Sequence, residues 1–221
     1  MIFQIANILS EAELGALCEL LSQEHLFEDG RRTAGWRARQ RKSNLQAASD
    51  SPLANGALRK IETALRKNEV FQAAARPRSI AKILLSRYEP GMAYGEHVDD
   101  AVIAGQRTDL SFTLFLSDPE SYGGGELVIE RAEGERAFKP PAGQLVLYPT
   151  TMLHRVEPVT GGLRLAAVGW VRSLVREDAQ REALFDLDQV ARLLREGSDP
   201  ERAMDLVLKT RNNLLRRWLD D

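Results

Sequence analysis

The sequence predicts an α+β chain that is mainly β, a sandwich or barrel of short strands held between helices at both ends. Three observations carry this. Turn signals divide residues 78–172 into short, β-rich runs. Apolar residues at helical spacing mark the segments on either side. The 221 residues suffice for one domain, or one domain with an appendage, around a real core.

The elements follow in order. Ser10 and Glu13 have capping-box spacing ahead of a helix over 11–23, with Leu14, Leu17, Leu20 and Leu21 on its apolar face. Cys18 lies beside that face as a small core residue, and His25 just beyond reads as a surface or core histidine. Residues 28–48 are basic and polar and read as a solvated strand or loop near the entrance of a site. Ser51-Pro52 begin a second helix, to about Asn68, with Leu58, Ile61 and Leu65 on one side. The strands are "SIAKILLSRY" ending at Tyr88, the buried run "DLSFTLFLS", "SYGGGELVIE", "GQLVLYP", "HRVEPV" and "GGLRLAAVGWVRS". Gly123–Gly125 lack a following Lys-Ser/Thr and lead into a strand, so they are turn residues and not a phosphate cradle. Leu184, Leu187, Val190, Leu193 and Leu194 mark a helix that Gly197 ends. Asp199-Pro200 begin another, with Leu206, Leu214, Leu215 and Trp218 on its apolar side. The expected division is a β domain over 1–176 and a helical region over 177–221, which either packs on the β core or makes a homodimer contact.

Composition excludes several classes. A net charge of −2 builds no field for nucleic acid or an anionic membrane. One cysteine allows neither an intramolecular disulfide nor a cysteine-based zinc site. Residues 1–20 lack the basic start of a signal peptide, and no apolar run is long enough to span a bilayer. A reducing, cytoplasmic setting is the expectation.

The chemistry centres on "AYGEHVDDAV", which holds one of only three histidines. In an extended segment His97 and Asp99 share a face and Asp100 turns away to solvent. With His154 from "PTTMLHRV" they make two histidines and one carboxylate, the facial triad of non-haem Fe(II) oxygenases, which leaves three coordination positions open. Tyr148-Pro149 would set the turn that aims His154. On the last strand, alternation puts Arg164, Ala166, Val168 and Trp170 on one face and Leu163, Leu165, Ala167 and Val171 on the other. An arginine there needs a partner, either a dicarboxylate or an internal carboxylate. Asp109, Ser111 and Thr113 could meet a ligand or satisfy local backbone groups. A zinc hydrolase is disfavoured, because no His-Glu-x-x-His helix or equivalent glutamate is present.

The stretches "LSRYEPGMAYGEHVDDAV", "RTDLSFTLFLSDPESYGGGELVI" and "GQLVLYPTTMLHRVEPVTGGLRLAAVGWVRSLVRED", with the tail "LFDLD…NNLLRRWLDD", closely resemble the bacterial PKHD-type hydroxylases, in particular the PiuC-like group associated with iron uptake. The resemblance implies a double-stranded β-helix (jelly-roll) core with N-terminal flanking helices and a C-terminal helical appendage. It implies that His97, Asp99 and His154 hold Fe(II), that Arg164 binds the distal carboxylate of 2-oxoglutarate, and that Tyr88 helps orient it. Trp170 would wall that pocket, unless it is simply a core residue. The implied activity is hydroxylation of a small-molecule or peptide substrate with conversion of 2-oxoglutarate to succinate, ascorbate serving as reductant. The animal collagen enzymes usually carry lysine where Arg164 stands. The competing reading is a non-catalytic jelly roll that senses a metal or a small dicarboxylate.

Overall fold

Alternation along three neighbouring strands decides the layers. On Leu110–Phe115, Leu110, Phe112 and Leu114 face one side, while Ser111, Thr113 and Phe115 face the other. Leu145–Pro149 sends Leu145 and Leu147 outward and Val146 and Tyr148 inward. Arg164–Ser173 does the same, with Leu165, Ala167 and Val171 in the outer cluster. Both faces of these strands are covered, which is why Leu110–Phe115 is buried at every residue and reads as a continuous apolar run.

The structure is a computed structural model that describes residues 1–33, 35–197 and 201–219. Seven antiparallel strands form the larger sheet, in the order Phe3–Ile5, Leu145–Pro149, Leu110–Phe115, Arg164–Ser173, Pro77–Tyr88, Leu45–Ala47 and Phe27–Asp29. Five form the smaller one: Gly134–Phe138, Leu127–Arg131, His154–Val156, Ala93–His97 and Lys42–Ser43. Phe115, Val146 and Tyr148 meet Leu127, Ile129 and Phe138 between the sheets. This is the jelly-roll arrangement, two sheets packed face to face.

Helices cover the outer face of the larger sheet. Glu11–Leu21 begins at the expected capping box, with Glu13 N donating to Ser10 Oγ and Ser10 N to Glu13 Oε2 at 2.9 Å. Leu17 and Leu21 are buried, and the Cys18 thiol donates to Leu116 O. Pro52–Lys67 carries Ser51 as its cap and buries Ile61 and Leu65. Asn68 ends this helix and caps the next, Glu69–Ala75, by accepting from Phe71 N at 2.9 Å. That short helix was not anticipated, because an asparagine serving two helices reads only as a stop. The strands Phe3–Ile5 and Gly134–Phe138 were also missed: one is short, and most of the other faces solvent.

At the C-terminus, Asp178–Glu196 and Glu201–Trp218 are helical. Phe185 packs edge-on against Phe3 at 4.8 Å, and Asp188 pairs with Arg76 at 2.5 Å and with Arg211. Leu184 is buried, whereas Val190 and Leu193 remain exposed. The start expected at Asp199-Pro200 and the side chain of Leu206 lie outside the described residues. No described helix is long and apolar enough to cross a membrane.

One expectation is corrected. The 28–48 stretch is not simply solvated: Lys42, Asn44 and Gln46 are buried, at 7%, 4% and 3% exposure. The chain crosses here from one sheet to the other. Lys42 pairs with Tyr94 in the smaller sheet and Gln46 with Ser86 in the larger, so alternate side chains turn inward.

Candidate metal centre

A cavity of about 710 Å³ lies between the sheets, lined among others by Asn44, Tyr88, Tyr94, His97, Asp99, Tyr148, His154 and Trp170. His97 ends one strand and sits directly across from His154 on its antiparallel neighbour. Asp99 lies just past the strand end, yet its side chain reaches the same point. His97 Nε2 is 3.7 Å from Asp99 Oδ1, and His154 Nε2 is 3.7 Å from Asp99 Oδ2.

Both rings are oriented from behind. His97 Nδ1 lies 2.9 Å from Gly95 O, and His154 Nδ1 lies 3.0 Å from Met152 O. A carbonyl only accepts, so each Nδ1 carries the proton and each Nε2 keeps its lone pair for a metal. Tyr94 stacks on His97 at 3.6 Å, and Tyr148 meets His154 edge-on at 5.0 Å. Ser111 Oγ donates to Asp99 Oδ2 at 2.7 Å and so fixes the carboxylate, whose Oδ1 faces His97 and whose Oδ2 faces His154. The ligand atoms of His97, Asp99 and His154 all fall within 4.8 Å of one another and could hold a metal ion. Burial, then the neighbouring His154, pushes the His97 pKa down to about 4, so the ring is neutral at physiological pH.

Arg164 is buried at 1% exposure, beside Tyr88 in register. Its Nε donates to Gly125 O at 2.7 Å, and both terminal nitrogens lack a hydrogen-bond partner. The guanidinium lies over the rings of Tyr88 and Phe115, at 5.0 and 5.3 Å from their centroids. Tyr88, not Arg164, lines the cavity itself. Gly125 makes room for this arginine. It has φ +69°, and a Cβ there would stand 2.9 Å from Arg164 Cδ. The glycine turn thus has a specific task beside the arginine that its sequence did not reveal.

Residues 83–172 match the 2OG-Fe(II) oxygenase superfamily, and residues 178–220 match the PKHD-type hydroxylase C-terminal domain. A PKHD-type hydroxylase of Parvibaculum lavamentivorans is 53% identical over 222 residues, covering all of both chains. One from a Synechococcus species is 50% identical, again over the full length of both. The chain belongs to the PKHD-type hydroxylase family. It is therefore a 2-oxoglutarate-dependent dioxygenase, and the family implies Fe(II) and 2-oxoglutarate. The fold agrees with solved structures of this class. A prolyl hydroxylase from Trichoplax adhaerens, in complex with a peptide fragment, aligns with TM-score 0.60 at 16% identity, covering 83% of this chain and 86% of that one. A Pseudomonas putida prolyl-4-hydroxylase aligns with TM-score 0.54 at 22% identity, covering 78% and 92%.

As a PKHD-type hydroxylase the chain has several site-lining residues that its sequence reading did not single out. Tyr94 and Tyr148 buttress the two histidines, and Lys42, Asn44 and Gln46 line the cavity. Their signal was weak, since buried polar residues on a crossing segment look like a surface strand. Ser111 and Thr113 do face inward, and Thr113 lines the cavity. Trp170 lines it too and is half-buried, its Nε1 without a partner. Asp100 is exposed and His25 is exposed. Asp109 instead pairs with Arg107 and accepts from Ser173 N, away from the trio.

Proposed function

We propose that His97, Asp99 and His154 hold the Fe(II), that Arg164 receives the distal carboxylate of 2-oxoglutarate with Tyr88 orienting it, and that Trp170 walls the same pocket. The observation that carries this is the paired backbone anchoring of both Nδ1 atoms, which aims two Nε2 atoms and one carboxylate at a common point. The two unpartnered nitrogens of a buried arginine suit a bidentate carboxylate. Bound iron and 2-oxoglutarate would supply, with dioxygen as the oxidant, the oxidation of a C–H bond to an alcohol, one oxygen atom going to the alcohol and the other to succinate as carbon dioxide leaves. The chain orients: Ser111 fixes the Asp99 carboxylate, and Tyr94 and Tyr148 hold the imidazoles. Burial raises the pKa of Tyr88, Tyr94 and Tyr148, so all three phenols stay neutral.

The substrate proposed is a small molecule, a siderophore or a related compound, on the strength of the resemblance to the iron-uptake-associated group. Ascorbate is proposed as the reductant and the cytoplasm as the setting. The direct test is succinate formation from 2-oxoglutarate with added Fe(II). Production that is lost in Asp99→Ala supports the assignment, and production that survives there refutes it. Comparing metabolites of cells with and without the gene tests the substrate.

A further inference from the structure

Lys42 is a buried cation with no carboxylate within ion-pair distance among the described residues. It is 7% exposed and lines the cavity. Its Nζ donates to Thr33 Oγ1 at 3.2 Å and lies 5.1 Å from the centre of the Tyr94 ring. That ring is the one stacked on His97, so the ammonium sits one aromatic ring from the metal centre. Asn44, two residues along on the same inward face, is 4% exposed; its amide meets the Tyr88 hydroxyl but has no partner in close hydrogen-bond geometry. Its Oδ1 lies against Gly30, where a Cβ would come within 2.0 Å, so the glycine is what lets this amide lie there.

Burying an uncompensated charge and an unpaired amide is costly, and such groups are retained where a ligand completes them. Desolvation brings the Lys42 pKa down to about 8, and Asp99 is the largest influence opposing that shift. In the proposed dioxygenase, Asp99 is committed to the metal. The charges of ferrous iron, Asp99, Arg164 and dianionic 2-oxoglutarate then cancel. Lys42 is left over. The remaining charged groups of the cavity lining, Arg37, Arg41, Lys82, Glu96 and Asp100, are exposed and screened by water.

We propose that Lys42, with Asn44 beside it, is an oxyanion subsite for the primary substrate, which therefore carries a carboxylate or phosphate-type group near its reacting carbon. This inference rests on the dioxygenase assignment for its charge balance. Two sources of such an oxyanion exist, the primary substrate and the cosubstrate's own carboxylate, and the test separates them.

Inorganic phosphate and acetate are titrated calorimetrically into manganese-loaded protein, with and without saturating 2-oxoglutarate. The expected result is binding that changes less than about twofold on adding 2-oxoglutarate, falls at least roughly tenfold in Lys42→Met, and is retained in Lys42→Arg. A thermal melt of each variant confirms folding. Displacement of phosphate by 2-oxoglutarate would assign the cation to the cosubstrate and overturn the proposal. Equal binding by wild type and Lys42→Met, or no binding by wild type, overturns it too. The same titration on metal-free protein reads Lys42 alone. Failure to make succinate therefore counts against the dioxygenase assignment, and failure to bind anions counts against the subsite.

Discussion

Ser111 stands one hydrogen bond behind the metal trio, its hydroxyl 2.7 Å from Asp99 Oδ2 and 3.1 Å from Thr150 Oγ1. Groups that orient a ligating carboxylate typically carry 10- to 100-fold in metal affinity. Ser111→Ala should weaken Mn(II) binding by roughly tenfold or more while the fold survives, as a competition titration with a metal indicator would report; unchanged affinity would remove Ser111 from this role. Lys42 supplies a pH signature. Its folded pKa of about 8 lies below the 10.5 of an ordinary lysine, so between those values the unfolded chain binds more protons and stability rises with pH. Relative to Lys42→Met, wild type should gain up to about 3 kcal/mol across that window, measured by denaturant unfolding in anion-free buffer. A flat difference would mean that the ammonium is solvated. Both residues show the limit of reading a chain by itself. The sequence leaves Ser111 either to meet a ligand or to satisfy the backbone, and its 2.7 Å bond to Asp99 gives it a third task, behind the carboxylate. Lys42 lies in a run whose composition looks like surface.

Elements place these residues. His97 and His154 meet because Ala93–His97 and His154–Val156 are adjacent antiparallel strands, a pairing between segments far apart in the chain. Strand alternation correctly sorted Arg164 and Trp170 from Leu165 and Val171, because a sheet covered on both faces leaves a period-two pattern. Along 42–47 the same alternation sets Lys42, Asn44 and Gln46 against Ser43, Leu45 and Ala47, but here the polar set faces inward, so composition points to the wrong face. At the C-terminal helices, Asp188 joins Arg76, whose side chain is 9% exposed, to Arg211 on the last helix. Removing it leaves a largely buried guanidinium unpaired. Asp188→Ala should cost about 1–3 kcal/mol in urea unfolding and leave Mn(II) affinity unchanged. A change in metal affinity would show that the helices reach the site.

At the scale of the molecule, a metal held as proposed would link two strands and a loop of the smaller sheet, so its binding should stabilise the whole. At a hundredfold excess over its Kd a ligand contributes about 2.7 kcal/mol, which corresponds to a rise in Tm of roughly 5–10 °C for a chain of this size. Wild type should show this rise with Mn(II), and His154→Ala should not. An equal rise in both would place the metal elsewhere.

By itself the sequence determined the α+β class, the capped helices, the inward face of the last strand and the identity of the three metal-binding candidates. These are local or periodic properties, written in caps, turns and alternation. Only the tertiary structure decided that Asp99 meets both Nε2 atoms from beyond its strand, that Gly125 yields space to Arg164, and that a polar segment crosses between sheets to bury Lys42 and Asn44. The physical reason is that burial and charge compensation are sums over neighbours from distant parts of the chain, and no local pattern contains them.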